Sequence, residues 1–145
     1  MYKHLLIATD GSELAQKAVE QGLKLAGALG AKATVITVTQ PWDAMVSAEV
    51  MVVLPPDAYE ENVTIAANKI LDGVRDTAQK LGQPCDTLHV KDRFPGEGIV
   101  ECAGEKGCDL IVMASHGRRG LGRLLLGSVA NEVVTRSTVP VLICR

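Results

Sequence analysis

The alternation of short apolar runs with longer amphipathic stretches is the feature that most constrains the fold of this chain. The runs are rich in Val, Ile and Leu, whereas apolar residues in the longer stretches recur every three or four positions. These patterns predict strands at residues 4–9, 33–39, 85–90, 109–114 and 140–144, and helices at 12–29, 57–81, 96–106 and 128–136. Such alternation is typical of an α/β fold, a parallel five-stranded sheet with helices on both faces.

Length and composition narrow the class of protein. A chain of 145 residues matches the size of one domain, and we expect a single domain over residues 1–145. It holds only four aromatic residues, too few for a platform on which nucleic-acid bases stack. A formal net charge of −2 also argues against a broad phosphate-backbone footprint, so we expect no nucleic-acid partner.

The apolar segments and the cysteines indicate a cytoplasmic protein. The first apolar run ends at Asp10, too early for the core of a signal peptide, and no stretch approaches the roughly 20 residues of a membrane span. Cys85, Cys102, Cys108 and Cys144 form no C-x-x-C pair. We therefore expect no membrane partner, and we expect the cysteines to be buried small hydrophobes in a reducing compartment.

Two segments exceed what a minimal sheet-and-helix scaffold needs. Residues 40–55 form a sixteen-residue, unusually apolar connection, whereas such loops usually have about 2–6 residues. This segment could close over a ligand, pack on a partner subunit or fold back on its own domain. The second segment, residues 115–127, holds the glycines 117, 120, 122 and 127.

The glycine-rich segment follows the fourth predicted strand, where it favours anion binding. Open parallel sheets bind ligands beyond the carboxyl ends of their strands, at the point where strand order reverses. Glycines permit close approach of backbone N–H groups, Arg118, Arg119 and Arg123 add positive charge, and Ser128 begins a helix. The segment therefore predicts a polyphosphate site, with a solvated surface loop as the alternative. Neither a complete P-loop nor the G-x-G-x-x-G motif is present.

Three segments of the chain are distinctive: IATDGS at 7–12, DLIVMASHGRRGLGRLLLGSVA at 109–130 and VPVLI at 139–143. Through them the chain resembles the universal stress protein family, in particular its nucleotide-binding branch, and the resemblance extends over residues 3–144. The ATP-binding pattern of the family is G-x2-G-x9-G-S/T. This chain reads Ala114-x2-Gly117-x9-Gly127-Ser128, so spacing is kept while alanine replaces the first glycine.

The resemblance implies a fold, a ligand and a set of contacts. The implied fold is a doubly wound, Rossmann-like sheet of strand order 3-2-1-4-5, as in the adenine nucleotide alpha hydrolases. The implied ligand is ATP, or ADP or AMP, with Mg²⁺ or Mn²⁺, acting in regulation or assembly during a stress response. The implied contacts run from adenine and ribose to the phosphates: Ala8, Thr9, Asp10, Val38, Met113, Ala114, Gly117, Arg118, Gly127, Ser128 and Val129.

Asp10 and several other polar residues of the same two loops also have a purely structural interpretation. Asp10 either contacts the ligand or caps the first helix through an Asx turn. Ser12 is expected to be a helix N-cap. His116 is either a phosphate contact or a solvated loop residue. Arg119 and Arg123 either belong to the site or pair with acidic residues of the third predicted helix.

No residue pattern predicts a catalytic group, so we expect absent or slow ATP hydrolysis. The alternative is a nucleotide-free interaction protein of the same family. The fifth predicted strand, within residues 139–144, is apolar and lies at the expected sheet edge, where a second copy could pair with it. A homodimer is expected under both hypotheses. A phospho-receiver domain is disfavoured because no acidic pair follows the first strand.

Overall fold

The computed structural model describes residues 1–46, 54–118 and 125–145. Their elements are β1 His4–Ala8, α1 Glu13–Leu29, β2 Lys32–Val38, α2 Trp42–Val46, α3 Pro56–Leu81, β3 Asp86–Val90, α4 Pro95–Glu105, β4 Leu110–Ala114, α5 Ser128–Arg136 and β5 Val141–Cys144. All five predicted strands and four predicted helices are confirmed, with ends that differ by one residue at most. The short helix α2 was not predicted, because it lies within the long segment of residues 40–55.

The strands form one parallel sheet of order β3-β2-β1-β4-β5, which confirms the topology that the resemblance implies. The chain first builds outward from β1 through β2 to β3, and then returns to the other side of β1 for β4. Leu5 accordingly pairs with Ala33 of β2 on one side and with Leu110 of β4 on the other. Strand order reverses between β1 and β4, and this leaves a crevice at their carboxyl ends.

The central strands are buried on both faces of the sheet. Leu5 and Ile7 belong to an apolar cluster that includes buried residues of α1 and α3, while Leu6 packs on the opposite face, in a cluster that includes buried residues of α4 and α5. All three side chains are fully buried. Burial of both alternating sets explains why β1 is a continuous apolar run.

Glycines and one serine set the ends of the helices as predicted. Ser12 is the N-cap of α1, and its hydroxyl accepts a hydrogen bond from the backbone N–H of Ala15 at 3.3 Å. Gly30 ends α1 and Gly82 ends α3, with φ of 63° and 66° in the left-handed region that favours glycine. Both glycines therefore have a structural role, as the sequence predicts.

The cysteines are free thiols. Cys102, Cys108 and Cys144 are buried, as expected, whereas Cys85 is partly buried. Burial raises the pKa of Cys108 to about 11, which keeps this thiol protonated at neutral pH. Among the described residues, no helix is long and apolar enough to span a membrane.

Two aromatic side chains hold the base of the segment at residues 40–55. The Trp42 Nε1–H group donates a hydrogen bond to the Leu54 carbonyl oxygen, and the Tyr59 hydroxyl donates one to the Gln40 carbonyl oxygen, each at 2.8 Å. Residues 47–53 lie outside the described part of the chain. The expectation that this segment covers a ligand, contacts a partner or packs on its own domain concerns those residues and stays a prediction.

Candidate functional site

The crevice between β1 and β4 is lined by the loops that follow these two strands. The sheet hydrogen bonding continues into both loops, because the Thr9 N–H group donates to the Ile36 carbonyl at 2.9 Å and the Ser115 N–H group donates to the Cys144 carbonyl at 2.8 Å. Both Thr9 and Ser115 are buried. The two loops therefore begin from fixed positions on the rigid sheet.

Asp10 connects these loops through both oxygens of its carboxylate. Its Oδ1 accepts a hydrogen bond from the Ser12 N–H group at 2.9 Å, and its Oδ2 accepts one from the Arg118 N–H group at 3.0 Å. The first contact is the predicted Asx turn. The second joins residues 108 positions apart in the sequence and was not predicted. The structural interpretation of Asp10 is thus confirmed, while its contact with a ligand stays a prediction.

Other atoms of the crevice lie close to the positions that a side chain would occupy on two motif glycines. A Cβ atom on Gly117 would overlap Asp10 Oδ2. A Cβ atom on Gly127 would lie 3.0 Å from the Ser115 carbonyl oxygen and 3.3 Å from His116 Cα. The Gly127 N–H group also donates to that Ser115 oxygen at 2.7 Å. Neither glycine has a left-handed backbone, so close approach explains why glycine stands at both positions.

Gly11 is a third glycine of the site, and sequence reasoning did not select it. Its φ is +79°, and the position of its absent Cβ lies 2.8 Å from Ile70 Cγ1 and 3.2 Å from the guanidinium Nη2 of Arg118. The Arg118 side chain therefore lies against the loop that follows β1. The Asp-Gly pair at residues 10–11 is the sequence signal that could have identified this turn. No comparable signal connects Ile70 with the site.

Helix α5 begins beside Ser115, whose carbonyl oxygen accepts a hydrogen bond from the Gly127 N–H group. Its N-cap is Gly127, and no side chain among the described residues caps this end. By contrast, the hydroxyl of Ser12 caps α1, and α3 and α4 each have proline in the first turn. The N–H groups of Ser128 and Val129, together with the helix dipole, make this end suited to an anion.

The other predicted contact residues lie along the floor and side of the crevice. Ala8, Met113 and Ala114 are buried in their strands, and the backbone of Ala114 is not left-handed, so the alanine fits where the family pattern has glycine. Val38 ends β2, and its Cγ1 lies 2.9 Å from the position of the absent Cβ of Gly98. The structure thus brings all eleven predicted residues to the carboxyl edge of β1, β2 and β4.

Some predictions about the glycine-rich segment lie outside the described residues. These are the glycines at 120 and 122 and the arginines at 119 and 123. The acidic partners proposed for these arginines are Glu97, Glu101 and Glu105. Carboxylate oxygens of Glu97 and Glu101 lie 3.8 Å and 3.1 Å from Arg93 Nε. His116 Nδ1 lies 2.8 Å from the Ser115 hydroxyl, so His116 is not a purely solvated loop residue.

The groups that line this crevice are suited to binding an anion rather than to holding a metal ion without other ligands. The described residues contain no group of three or more His, Cys, Asp or Glu side chains that could hold a metal ion. Asp10 already accepts two backbone hydrogen bonds. What the crevice offers is N–H groups, one guanidinium and an apolar floor, which together fit an anion attached to an apolar group.

Known proteins that resemble this chain match it over its whole length. The profile of the Universal stress protein family matches residues 1–145. The chain is 31% identical over 149 residues to the universal stress protein YxiE of Bacillus subtilis, with 100% of both chains covered. The solved structure of MJ0577 from Methanocaldococcus jannaschii gives a TM-score of 0.82 at 27% identity, covering 99% of this chain and 96% of that one. A universal stress protein solved in complex with cAMP gives 0.71 at 28% identity, covering 99% and 97%.

Proposed function

The chain belongs to the universal stress protein family, and on this basis we propose that it binds an adenine nucleotide, ATP with a divalent cation, as a regulatory ligand. One observation carries the proposal. Gly117 and Gly127 have family spacing, and each lies where a Cβ would meet another loop of the same crevice. The relative in complex with cAMP, at 28% identity, supports an adenine nucleotide as the ligand class.

The proposed ligand lies across the carboxyl edge of the sheet. The adenine contacts Val38 and the backbone of Ala8 to Asp10, because this chain offers aliphatic side chains where other proteins stack the base on aromatics. The phosphates lie at the N–H groups of Ser128 and Val129, with the Arg118 guanidinium beside them. These groups supply donors and positive charge to a polyanion.

A divalent cation fits this proposal only if the phosphates supply most of its ligands. Mg²⁺ is usually held by one or two carboxylates and by substrate phosphates. Among the described residues, Asp10 is a carboxylate at the crevice, and no group of three or more His, Cys, Asp or Glu side chains could hold a metal ion. The ion would therefore arrive with the nucleotide, and it would neutralise phosphate charge rather than build a separate metal site.

We propose absent or slow turnover rather than efficient catalysis. Hydrolysis requires a group that orients or deprotonates the attacking water. Asp10, the carboxylate predicted for the crevice, accepts from the Ser12 and Arg118 amides at 2.9 Å and 3.0 Å, which commits it to fixing the loops. The nucleotide then acts by stabilising one arrangement of these loops, in a protein that we expect in the cytoplasm.

Thermal unfolding with and without nucleotide tests this proposal. A ligand at 100 times its Kd stabilises the folded state by about 2.7 kcal/mol, which raises Tm by roughly 5–10 °C in a domain of this size. Protein shown to be free of nucleotide is compared with Mg-ATP, cAMP and adenosine at millimolar concentration. An unchanged Tm with all three ligands would refute nucleotide binding, and an equal shift with adenosine and ATP would refute the phosphate contacts.

The second candidate, a nucleotide-free dimeric interaction protein, is favoured by the exposed edge of the sheet. β5 is an edge strand, and Leu142 in its middle is 41% exposed. We propose that a homodimer forms by pairing this edge, at residues 139–144, with the same edge of a second copy. The dimer is compatible with both candidates, so only the nucleotide titration separates them.

A further inference from the structure

We propose that Asp10 is the positioning residue of the site. Its carboxylate fixes the loop after β4, and through that loop it holds the positive charge of Arg118 over the crevice. Asp10 thereby makes binding depend on the phosphates of the ligand rather than on the nucleoside alone. The affinity part of this inference rests on the proposed function, whereas the loop-fixing part does not.

The contacts of Asp10 account for both of its oxygens. One oxygen accepts from Ser12 within its own loop, and the other accepts from Arg118 across the crevice. A charged acceptor makes stronger hydrogen bonds than a neutral one, so the carboxylate is a stiff connection between the two loops. A residue that served only to contact a ligand would not need its second oxygen on the opposite loop.

The Asp10 carboxylate occupies the space that a side chain on Gly117 would fill. The atoms nearest to a Cβ built on Gly117 are Oδ2 and Cγ of Asp10, the latter at 3.6 Å. No other heavy atom among the described residues, chain neighbours apart, lies within 4 Å of that position. The glycine of the motif is therefore required by the carboxylate, and Asp10 and Gly117 act as one unit.

The Asp10 contact fixes the backbone from which the Arg118 side chain extends. The Arg118 N–H group is bound by Asp10 Oδ2, and the guanidinium Nη2 lies 3.2 Å from the position of the absent Cβ on Gly11. The cation lies over the turn that follows β1, beside the proposed phosphate position. Loss of the Asp10 contact would release residue 118 and spread this charge over many orientations.

Hydrogen exchange in nucleotide-free protein tests the loop-fixing part directly. Asp10→Ala is expected to abolish protection of the Arg118 and Ser12 amides, and Asp10→Asn to weaken one of the two, because an amide NH₂ cannot accept a hydrogen bond. Asp10→Asn keeps the size of the side chain and serves if the alanine variant folds poorly. Unchanged protection at residue 118 in both variants would overturn the proposal.

A double-mutant comparison tests the Asp10–Gly117 unit without any ligand. Gly117→Ala is expected to lower the folding equilibrium constant of the wild type by about tenfold or more, because the methyl overlaps the carboxylate. In an Asp10→Ala background the same change should cost less than about threefold, since the space is vacated. Equal costs in the two backgrounds would show that Gly117 is required for another reason and would overturn the proposed unit.

Ligand titration separates positioning from direct contact. Asp10→Asn is expected to weaken Mg-ATP binding by about tenfold, the value of one charged hydrogen bond, and to weaken adenosine binding by a smaller factor. An equal loss for adenosine and ATP would identify Asp10 as a nucleoside contact and would overturn its role in phosphate dependence. If the wild type binds neither ligand, the proposed function fails, while the exchange and double-mutant results still decide the positioning role.

Discussion

Gly127→Ala should lower the free energy of unfolding because the added methyl group crowds the start of α5. Comparison with a glycine in open space separates this crowding from the general effect of replacing glycine by alanine. A Cβ at this position would lie 3.0 Å from the Ser115 carbonyl oxygen and 3.3 Å from His116 Cα. Both atoms belong to the backbone, so no side-chain rotation can relieve the contact. The backbone angles of Gly127, φ −61° and ψ 160°, suit alanine, and the conformation itself therefore carries no penalty.

The magnitude follows from these two contacts and one hydrogen bond. Overpacking of this kind costs about 1–3 kcal/mol. The 2.7 Å hydrogen bond from Gly127 to Ser115 should lengthen as the loops move apart, and a typical bond of this type contributes about 0.5–1.5 kcal/mol. Alanine restricts the unfolded chain and returns about 0.4–1 kcal/mol. We therefore expect a net loss of about 0.5–4 kcal/mol in the free energy of unfolding.

Gly73 of α3 provides the matched control. A Cβ there meets nothing within 4 Å, and the residue lies in the interior of a helix, so Gly73→Ala should stabilise the protein by about 0.5–1 kcal/mol. Urea unfolding followed by circular dichroism gives both values, with equal m-values required for comparison. A Gly127→Ala variant as stable as the wild type, beside a stabilised Gly73→Ala variant, would refute the crowding argument.

Three further predictions concern other parts of the molecule. Leu142→Lys at the β5 edge should shift a homodimer to monomer on size-exclusion chromatography, because it places a charge on the proposed interface; an intact dimer would locate the interface elsewhere. Gly98→Ala should push Val38 away from α4 and weaken Mg-ATP binding by a few-fold in a calorimetric titration, since the two atoms would lie 2.9 Å apart; unchanged affinity would remove Val38 from the site. Hydrogen bonds from two backbone N–H groups at the start of β1 lower the pKa of Asp109, so its stabilisation is present above its ordinary pKa and is lost as pH falls through the lowered value. The Tm difference between wild type and Asp109→Asn should therefore be largest near neutral pH, begin to shrink as pH falls to about 4, and vanish only below the lowered pKa; a difference that keeps its full size in strong acid would refute this assignment.

The sheet could be predicted from the sequence because its central strands are buried on both faces. Residues 4–9 and 109–114 are nearly continuous apolar runs. Short runs of this kind are typical of strands that are buried on both faces of a parallel sheet. The helix ends at Gly30 and Gly82 could be predicted for a local reason, since a left-handed residue ends a helix most easily as glycine. Helix α2 has only five residues and no clear apolar period, so no local signal was available.

The candidate site was predicted in its location but not in its connections. The motif indicates that glycine is needed at 117, but the reason lies in the carboxylate of Asp10, which occupies the space beside Gly117. This carboxylate also binds the N–H group of Arg118, a residue 108 positions away in the sequence. Sequence periodicity assigns Ile70 to the inner face of a helix and contains no information that it packs on Gly11. Contacts of this kind depend on how two distant loops meet in three dimensions, and one sequence alone does not encode which pairs will meet.

The position of β1 in the sheet has a consequence for biosynthesis. β1 is made first, yet its neighbour β4, which pairs Leu110 with Leu5, is the fourth of five strands to be made. At about 5–20 residues per second, the ribosome needs roughly 5–20 s to reach β4. During that time the apolar β1 segment lacks the partner strand that covers one of its edges in the folded sheet, a condition that favours aggregation. Because the crevice is built on the same two strands, it forms only in chains in which β4 has paired with β1. A ligand of the crevice would therefore bind chains with a nearly complete sheet and not incomplete ones.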